Sequence, residues 1–136
     1  MAAASIDSPD VFKGSLLWPI IEELQNRSGK SYELETNNMR IIADHLRAAV
    51  FLCIDGVNPS NKEQGYVMRR LIRRAIRFSF DLGIEQNFLE EITKTIISLY
   101  QEDYKEVKDN QQSIIDVLNK EEKIFRQTLR KGLGEL

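Results

Sequence analysis

GYVMRRLIRRAIRFSFDLG, residues 65–83, places five arginines within nine positions: Arg69, Arg70, Arg73, Arg74 and Arg77. A helix advances about 100° per residue. With Arg69 at zero, the five arginines fall in an arc from about 0° to 140°. Met68, Leu71, Ile72, Ala75 and Ile76 fall between about 200° and 340° by the same rule. The two arcs oppose each other, so the stretch predicts a helix with one buried face and one dense cationic face, ending near Gly83. From Lys62 to Phe80 the segment carries six cationic side chains and one anionic, a formal +5, in a chain whose whole charge is -2. Arginines one turn apart repel by a few tenths of a kcal/mol, roughly 0.2–0.5 per pair. No glutamate is interleaved on that face to relieve this, so the compensating charge must come from outside the helix. Two readings stay open: carboxylates on neighbouring helices, or a polyanion. Arginine in place of lysine favours phosphate, because its planar fork makes bidentate contacts.

The flanking sequence extends the helical pattern. In DVFKGSLLWPIIEELQNRSG, residues 10–29, Phe12, Leu16, Leu17, Ile20, Ile21 and Leu24 recur at helical spacing, and Gly29 follows the end. Pro19 predicts a kink or a late start there. A second helix starts at Thr36 or Asn37 as cap and buries Met39, Ile42, Ala43, Leu46, Ala49, Val50 and Cys53. Ile41, Leu52 and Ile54 widen its apolar area, which makes it central. DGVNPSNK, residues 55–62, is a loop by composition. A fourth helix carries Phe88, Leu89, Ile92, Ile96 and Leu99. A long fifth helix, from about Tyr104 to Lys131, carries Val107, Ile114, Leu118, Phe125 and Leu129, with Gly132 as its C-cap. No stretch alternates like a strand. The fold class is all-α, a bundle of about five helices with a long C-terminal one.

A length of 136 residues suits one domain. Residues 1–9 read as a flexible leader and 10–136 as a single helical domain. One cysteine, Cys53, and one histidine, His45, exclude a disulfide framework and a zinc cluster made within the chain. The longest apolar run, residues 48–54, is too short to cross a bilayer. The expected setting is the cytoplasm or an organelle matrix, with no membrane partner. His45 beside Asp44 reads as a packed or helix-tethering residue rather than a base, since no nucleophile accompanies it. Trp18, Phe78 and Phe80 read as core rather than stacking platforms. Taken alone, Asn61 reads most simply as a loop-capping residue.

Residues 43–77, ADHLRAAVFLCIDGVNPSNKEQGYVMRRLIRRAIR, resemble the alanyl-tRNA synthetase family in the helical region that follows its catalytic core. The matching positions include Ala43, Asp44, His45, Arg47, Phe51, Asp55, Gly56, Pro59, Ser60, Asn61, Gly65, Tyr66, Val67 and all five arginines. The flanks, DVFKGSLLWPIIEEL and EEKIFRQTLRKGL, look like the family as well. The family pattern continues after Asn61 as x-Gly-Arg-Gly, where this chain has Lys62-Glu63-Gln64-Gly65. The usual arginine is thus replaced by Gln64 and the first glycine by Glu63.

The resemblance implies a part of a class II enzyme that joins alanine to its tRNA with ATP. It implies that this segment binds the acceptor stem of tRNA(Ala) and helps read its G·U identity pair. Asn61 would be the reader, and Gln64, Tyr66, Arg69, Arg70, Arg73, Arg74 and Arg77 the other tRNA contacts. The strand region of such a catalytic core is missing from this sequence, so no catalytic residue and no alanine activation are expected of the chain alone. ATP and magnesium would belong to the catalytic core, the second expected partner, and zinc to an editing domain. The chain reads as an excised segment or one piece of a larger protein. The alternative is a helical protein-interaction module whose arginine face pairs with an acidic partner. A helix-turn-helix DNA binder fits less well, because the overall charge is acidic and the loop before the basic helix is eight residues long.

Overall fold

The structure is a computed structural model that describes residues 16–85 and 87–134. Among the described residues it is all-helical, with no strand. Six helices follow in order: α1 (Trp18–Ser28), α2 (Thr36–Ile54), α3 (Glu63–Asp81), α4 (Leu89–Tyr100), α5 (Lys105–Asp109) and α6 (Gln111–Gly134). The expected leader, and the part of the first helix expected over residues 10–15 with Phe12, lie outside the described residues. Of the two outcomes that Pro19 allowed, α1 shows the late start. Proline occupies its first turn, where a missing N–H costs nothing. Leu16 consequently precedes the helix and is exposed rather than packed. Gly29 closes α1 at φ 73°, donating its N–H to the Gln25 carbonyl at 2.9 Å.

Two expected caps are not used. Residues 31–35 are already wound into a turn, with the Glu35 N–H donating to the Ser31 and Tyr32 carbonyls. Helix α2 grows out of that turn, so Glu35 takes the cap position. Thr36 Oγ1 instead donates back to the Tyr32 carbonyl at 2.8 Å. Gly132 lies inside α6 rather than after it. The long fifth helix is in fact two, which makes six helices rather than five. Asn110 divides them. Its backbone N–H and its side-chain amide both donate to the Glu106 carbonyl, at 3.1 and 2.9 Å. Its own carbonyl accepts the Ile114 N–H that starts α6. Asparagine competes for backbone groups in this way wherever a helix can end.

Helix α2 is central, touching α1, α3, α4, α5 and α6. Its predicted face is buried at Met39, Ile42, Ala43, Leu46, Ala49 and Val50, while Cys53 is half-buried. Helix α3 lies between α2 and α6, burying Met68, Ile72, Ala75 and Ile76. Leu71 is only half-buried, because it sits at the edge of the apolar arc next to Arg74. None of the described helices is long and apolar enough to cross a membrane.

The α4 N-terminus has no cap of its own. Glu122 of α6 supplies one from across the bundle. Its Oε2 accepts the Phe88 N–H and its Oε1 the Leu89 N–H, both at 2.9 Å. The same carboxylate accepts Arg126 Nε at 2.8 Å, and both side chains are fully buried. Arg126 also donates to the Ile84 carbonyl and to Ser79 Oγ, each at 3.3 Å, and lies between the Phe80 and Phe88 rings. One pair thereby joins the end of α3, the start of α4 and the middle of α6.

Removing one partner from a buried, hydrogen-bonded pair leaves the other charge stranded, at about 3–5 kcal/mol. Glu122→Ala should therefore lower the urea unfolding free energy by about that amount. Replacing Glu122 and Arg126 together with apolar residues of similar volume should cost clearly less than the single change, as read from the same unfolding curves.

Candidate nucleic-acid interface

The loop 55–62 leads directly into the arginine helix, and its shape is set by close backbone approach. Gly65 is buried against Ser60. A Cβ on it would come within 2.6 Å of the Asn58 carbonyl oxygen and overlap Ser60 Oγ. The Ser60 N–H donates to the Gly65 carbonyl at 3.1 Å, folding the loop back onto the first turn of α3. Glu63 begins that helix at φ +49°, the one non-glycine residue with positive φ among those described. This is the position where the family pattern carries glycine.

The structure divides the five arginines into two sets. Arg69 and Arg73 turn toward α6, where Glu121 awaits them. Arg73 Nε donates to Glu121 Oε2 at 2.6 Å, and Arg69 Nε stands 3.2 Å from the same oxygen. The Glu121 side chain is 4% exposed. Arg73 also lies over the Phe125 ring at 4.9 Å. The compensating charge for this pair thus comes from a neighbouring helix, one of the two readings that the sequence left open.

Arg70, Arg74 and Arg77 are exposed and make no ion pair with a carboxylate among the described residues. Arg70 lies over Tyr66 at 5.8 Å and Arg74 over Phe78 at 5.7 Å. These contacts set each of the two guanidinium groups over an aromatic ring. The three border a cleft of about 540 Å³ between α3 and α6, lined also by Arg73, Phe78, Phe125 and Asp81. Phe78, expected as core rather than a stacking platform, packs against the core and also forms part of this wall. Among the described residues Asp81 is the acidic group lining the cleft.

Asn61 is exposed at the near end of α3, with Gln64 and Tyr66 exposed beside it on the first turn. One side-chain hydrogen bond engages Asn61. Arg69 donates an Nη1 hydrogen to its Oδ1 at 2.8 Å, which turns the amide carbonyl inward and the NH2 group outward. A second groove, of about 420 Å³, runs between Pro59 and Ile124 past Arg69 and Glu121. His45 on α2 is half-buried. Burial and then the nearby Arg74 charge hold its imidazole below the ordinary histidine range, against the opposing pull of Asp44. It is therefore neutral at pH 7, as a packed residue. Among the described residues no three His, Cys, Asp or Glu side chains converge to hold a metal ion.

Glu121 was the member of this site that motif reading missed, and Phe125 was read only as part of the packing face of its helix. A signal existed: at about 100° per residue, Glu121 and Phe125 fall within about 60° of Leu118, on the buried face of their helix.

The described residues thus form an all-helical unit with a cationic cleft beside the polar loop that opens α3. Its family follows from the whole chain: it belongs to the family described as tRNA synthetases class II (A), whose profile matches residues 3–136. An alanine–tRNA ligase from Shouchella clausii is 38% identical over 136 residues, all of this chain and 16% of the relative. One from Desulfosudis oleivorans is 43% identical over 125 residues, 90% of this chain and 14% of the relative. One from Geobacillus thermodenitrificans is 38% identical over 133 residues, 96% of this chain and 15% of the relative. The chain therefore spans 14–16% of the length of these relatives.

A side chain held at left-handed φ costs about 1–2 kcal/mol, part of which glycine returns through its looser unfolded chain. Glu63→Gly should thus stabilise the chain by about 0.5–1 kcal/mol. Gly65→Ala should do the reverse and more strongly, since the Asn58 carbonyl in its way is backbone. Thermal unfolding of the two variants side by side checks both signs.

Proposed function

We propose that this chain is the tRNA-recognition segment of an alanine–tRNA ligase, gripping the acceptor stem of tRNA(Ala) and helping to read its G·U pair. The observation that carries the reading is the pairing of two unlike features on one helix. Arg70, Arg74 and Arg77 present guanidinium groups without a carboxylate partner among the described residues, and Asn61 presents an amide held by Arg69 at the start of the same helix. Phosphate contacts fix position and affinity, and carry no base information; an amide at a groove edge discriminates bases. The relatives' activity supports alanine attachment as the reaction that this binding serves. ATP and magnesium then act in parts of the ligase beyond this chain, and the catalytic core of the same enzyme is its second partner. Gln64 and Tyr66 flank Asn61 and complete the contact surface at the helix start.

The competing use of the arginine face is an acidic protein partner. The two differ in their salt response and in competition. Binding of the chain to an acceptor-stem minihelix should fall steeply with salt and resist an acidic peptide. Arg74→Ala should weaken binding to G·U and G·C stems alike, and reduce the salt slope by about one. Asn61→Ala, measured in the ligase that contains this segment, should leave the slope unaltered and narrow the preference for the G·U stem by about 1–3 kcal/mol. Equal loss on both stems for Asn61→Ala would reduce Asn61 to a loop-capping residue. Displacement of the RNA by the peptide would favour the protein-interaction reading.

A further inference from the structure

We propose that Glu121, on α6, is a positioning residue for base discrimination, acting on Asn61 through Arg69; the proposal rests on the reading of Asn61 given above. The geometry is a chain of three groups. Glu121 is nearly fully buried and offers one oxygen to two arginines, Arg73 at 2.6 Å and Arg69 at 3.2 Å. Arg69 then uses Nη1 to hold Asn61 Oδ1 at 2.8 Å. Among the described residues no other hydrogen bond holds the Asn61 amide, which is exposed in its loop. Two like charges one helical turn apart repel, and the shared carboxylate is what keeps both side chains folded against α6. Arg69 is thereby spent on orientation. Its Nε, although beside Glu121, is buried without an aligned hydrogen bond, so Coulomb attraction rather than directional bonding sets its place.

The consequence for specificity is directional. With its carbonyl occupied by Arg69, the Asn61 amide offers its NH2 hydrogens outward. The loop therefore presents a donor, and the complementary ligand atom is an acceptor on a base edge, such as a pyrimidine carbonyl oxygen. If Glu121 loses its charge, Arg69 and Arg73 are released from their shared anchor. The surface then gains one unit of positive charge while the amide loses its orientation. Affinity and discrimination should move in opposite directions, which a mere loss of folded structure cannot produce.

The test is Glu121→Gln in the ligase that contains this segment, with Asn61→Ala alongside. Binding to acceptor-stem minihelices with G·U or G·C is titrated against salt. The expected result for Glu121→Gln is a G·U preference reduced about tenfold, toward that of Asn61→Ala, the scale of one lost base contact. The salt slope should stay the same or steepen by up to about one. The double variant should lose no more preference than Asn61→Ala alone. If Glu121→Gln fails to fold, Arg69→Met cuts the same link while leaving the Glu121–Arg73 pair, and the same loss of preference is expected. An unchanged preference in Glu121→Gln or Arg69→Met, with Asn61→Ala still narrowing it, overturns the relay alone. So does a uniform loss on both stems. An unchanged preference in Asn61→Ala overturns the reading of Asn61 and the relay together.

Discussion

The buried ion pair of Glu122 and Arg126 is the constraint on which the bundle turns. Burying two charges is expensive, and the cost is offset only when every hydrogen-bonding group finds a partner. Here the carboxylate caps two α4 N–H groups, and the guanidinium reaches a carbonyl, a hydroxyl and two ring faces. An anion at a helix N-terminus is also favoured by the helix dipole. The pair fixes α6 in rotation and in height against α3 and α4. That registration has a second effect, because Glu121 is the next residue along. Once Glu122 faces the start of α4, Glu121 is directed at the arginine face of α3. Core architecture and site geometry are thus set by adjacent side chains on one helix turn.

Much of the fold could be read from periodicity. The opposed arcs of residues 68–77 gave the buried and cationic faces of α3, and only Leu71, at the margin of its arc, is less buried than expected. The central role of α2 followed from its wide apolar surface. Boundaries were less legible, for a local reason: they depend on hydrogen bonds that composition does not announce. Asn110 is one polar residue among several in its stretch, and it splits α5 from α6 by bonding to Glu106. Thr36 was a plausible cap but sits one position inside a helix that starts from a preceding turn. The site was legible in its arginines and in the loop before them. Its acidic half was not, because pattern alone cannot say which of 21 acidic residues meets which cation.

The division of the arginines changes what the charge cluster means. Five like charges on one face suggest a single electrostatic device. The structure makes them two devices, because the energetic setting differs. Arg69 and Arg73 are partly enclosed and share a buried anion, so their positions are nearly fixed and their net field is reduced. Arg70, Arg74 and Arg77 remain solvated, and their attraction for a polyanion is long-ranged and sensitive to salt. A protein that must both attract a phosphate backbone and hold one amide steady has opposing needs. The first is served by exposed cations, and the second by a cation anchored to a buried carboxylate.

The loop departures Glu63 and Gln64 act on that balance. Glu63 puts a carboxylate at the start of α3, and its backbone occupies a conformation that glycine reaches without strain. Position 64 offers an amide where the family pattern offers a guanidinium. Both changes remove attraction for phosphate at the start of α3. Neither touches the contacts among Asn61, Arg69 and Glu121. On the proposed reading, the grip on phosphate falls to Arg70, Arg74 and Arg77 further along the helix, two of them lying over aromatic rings. The orienting contact at Asn61 can stay intact while the grip is redistributed, because the two depend on different side chains and on interactions of different range.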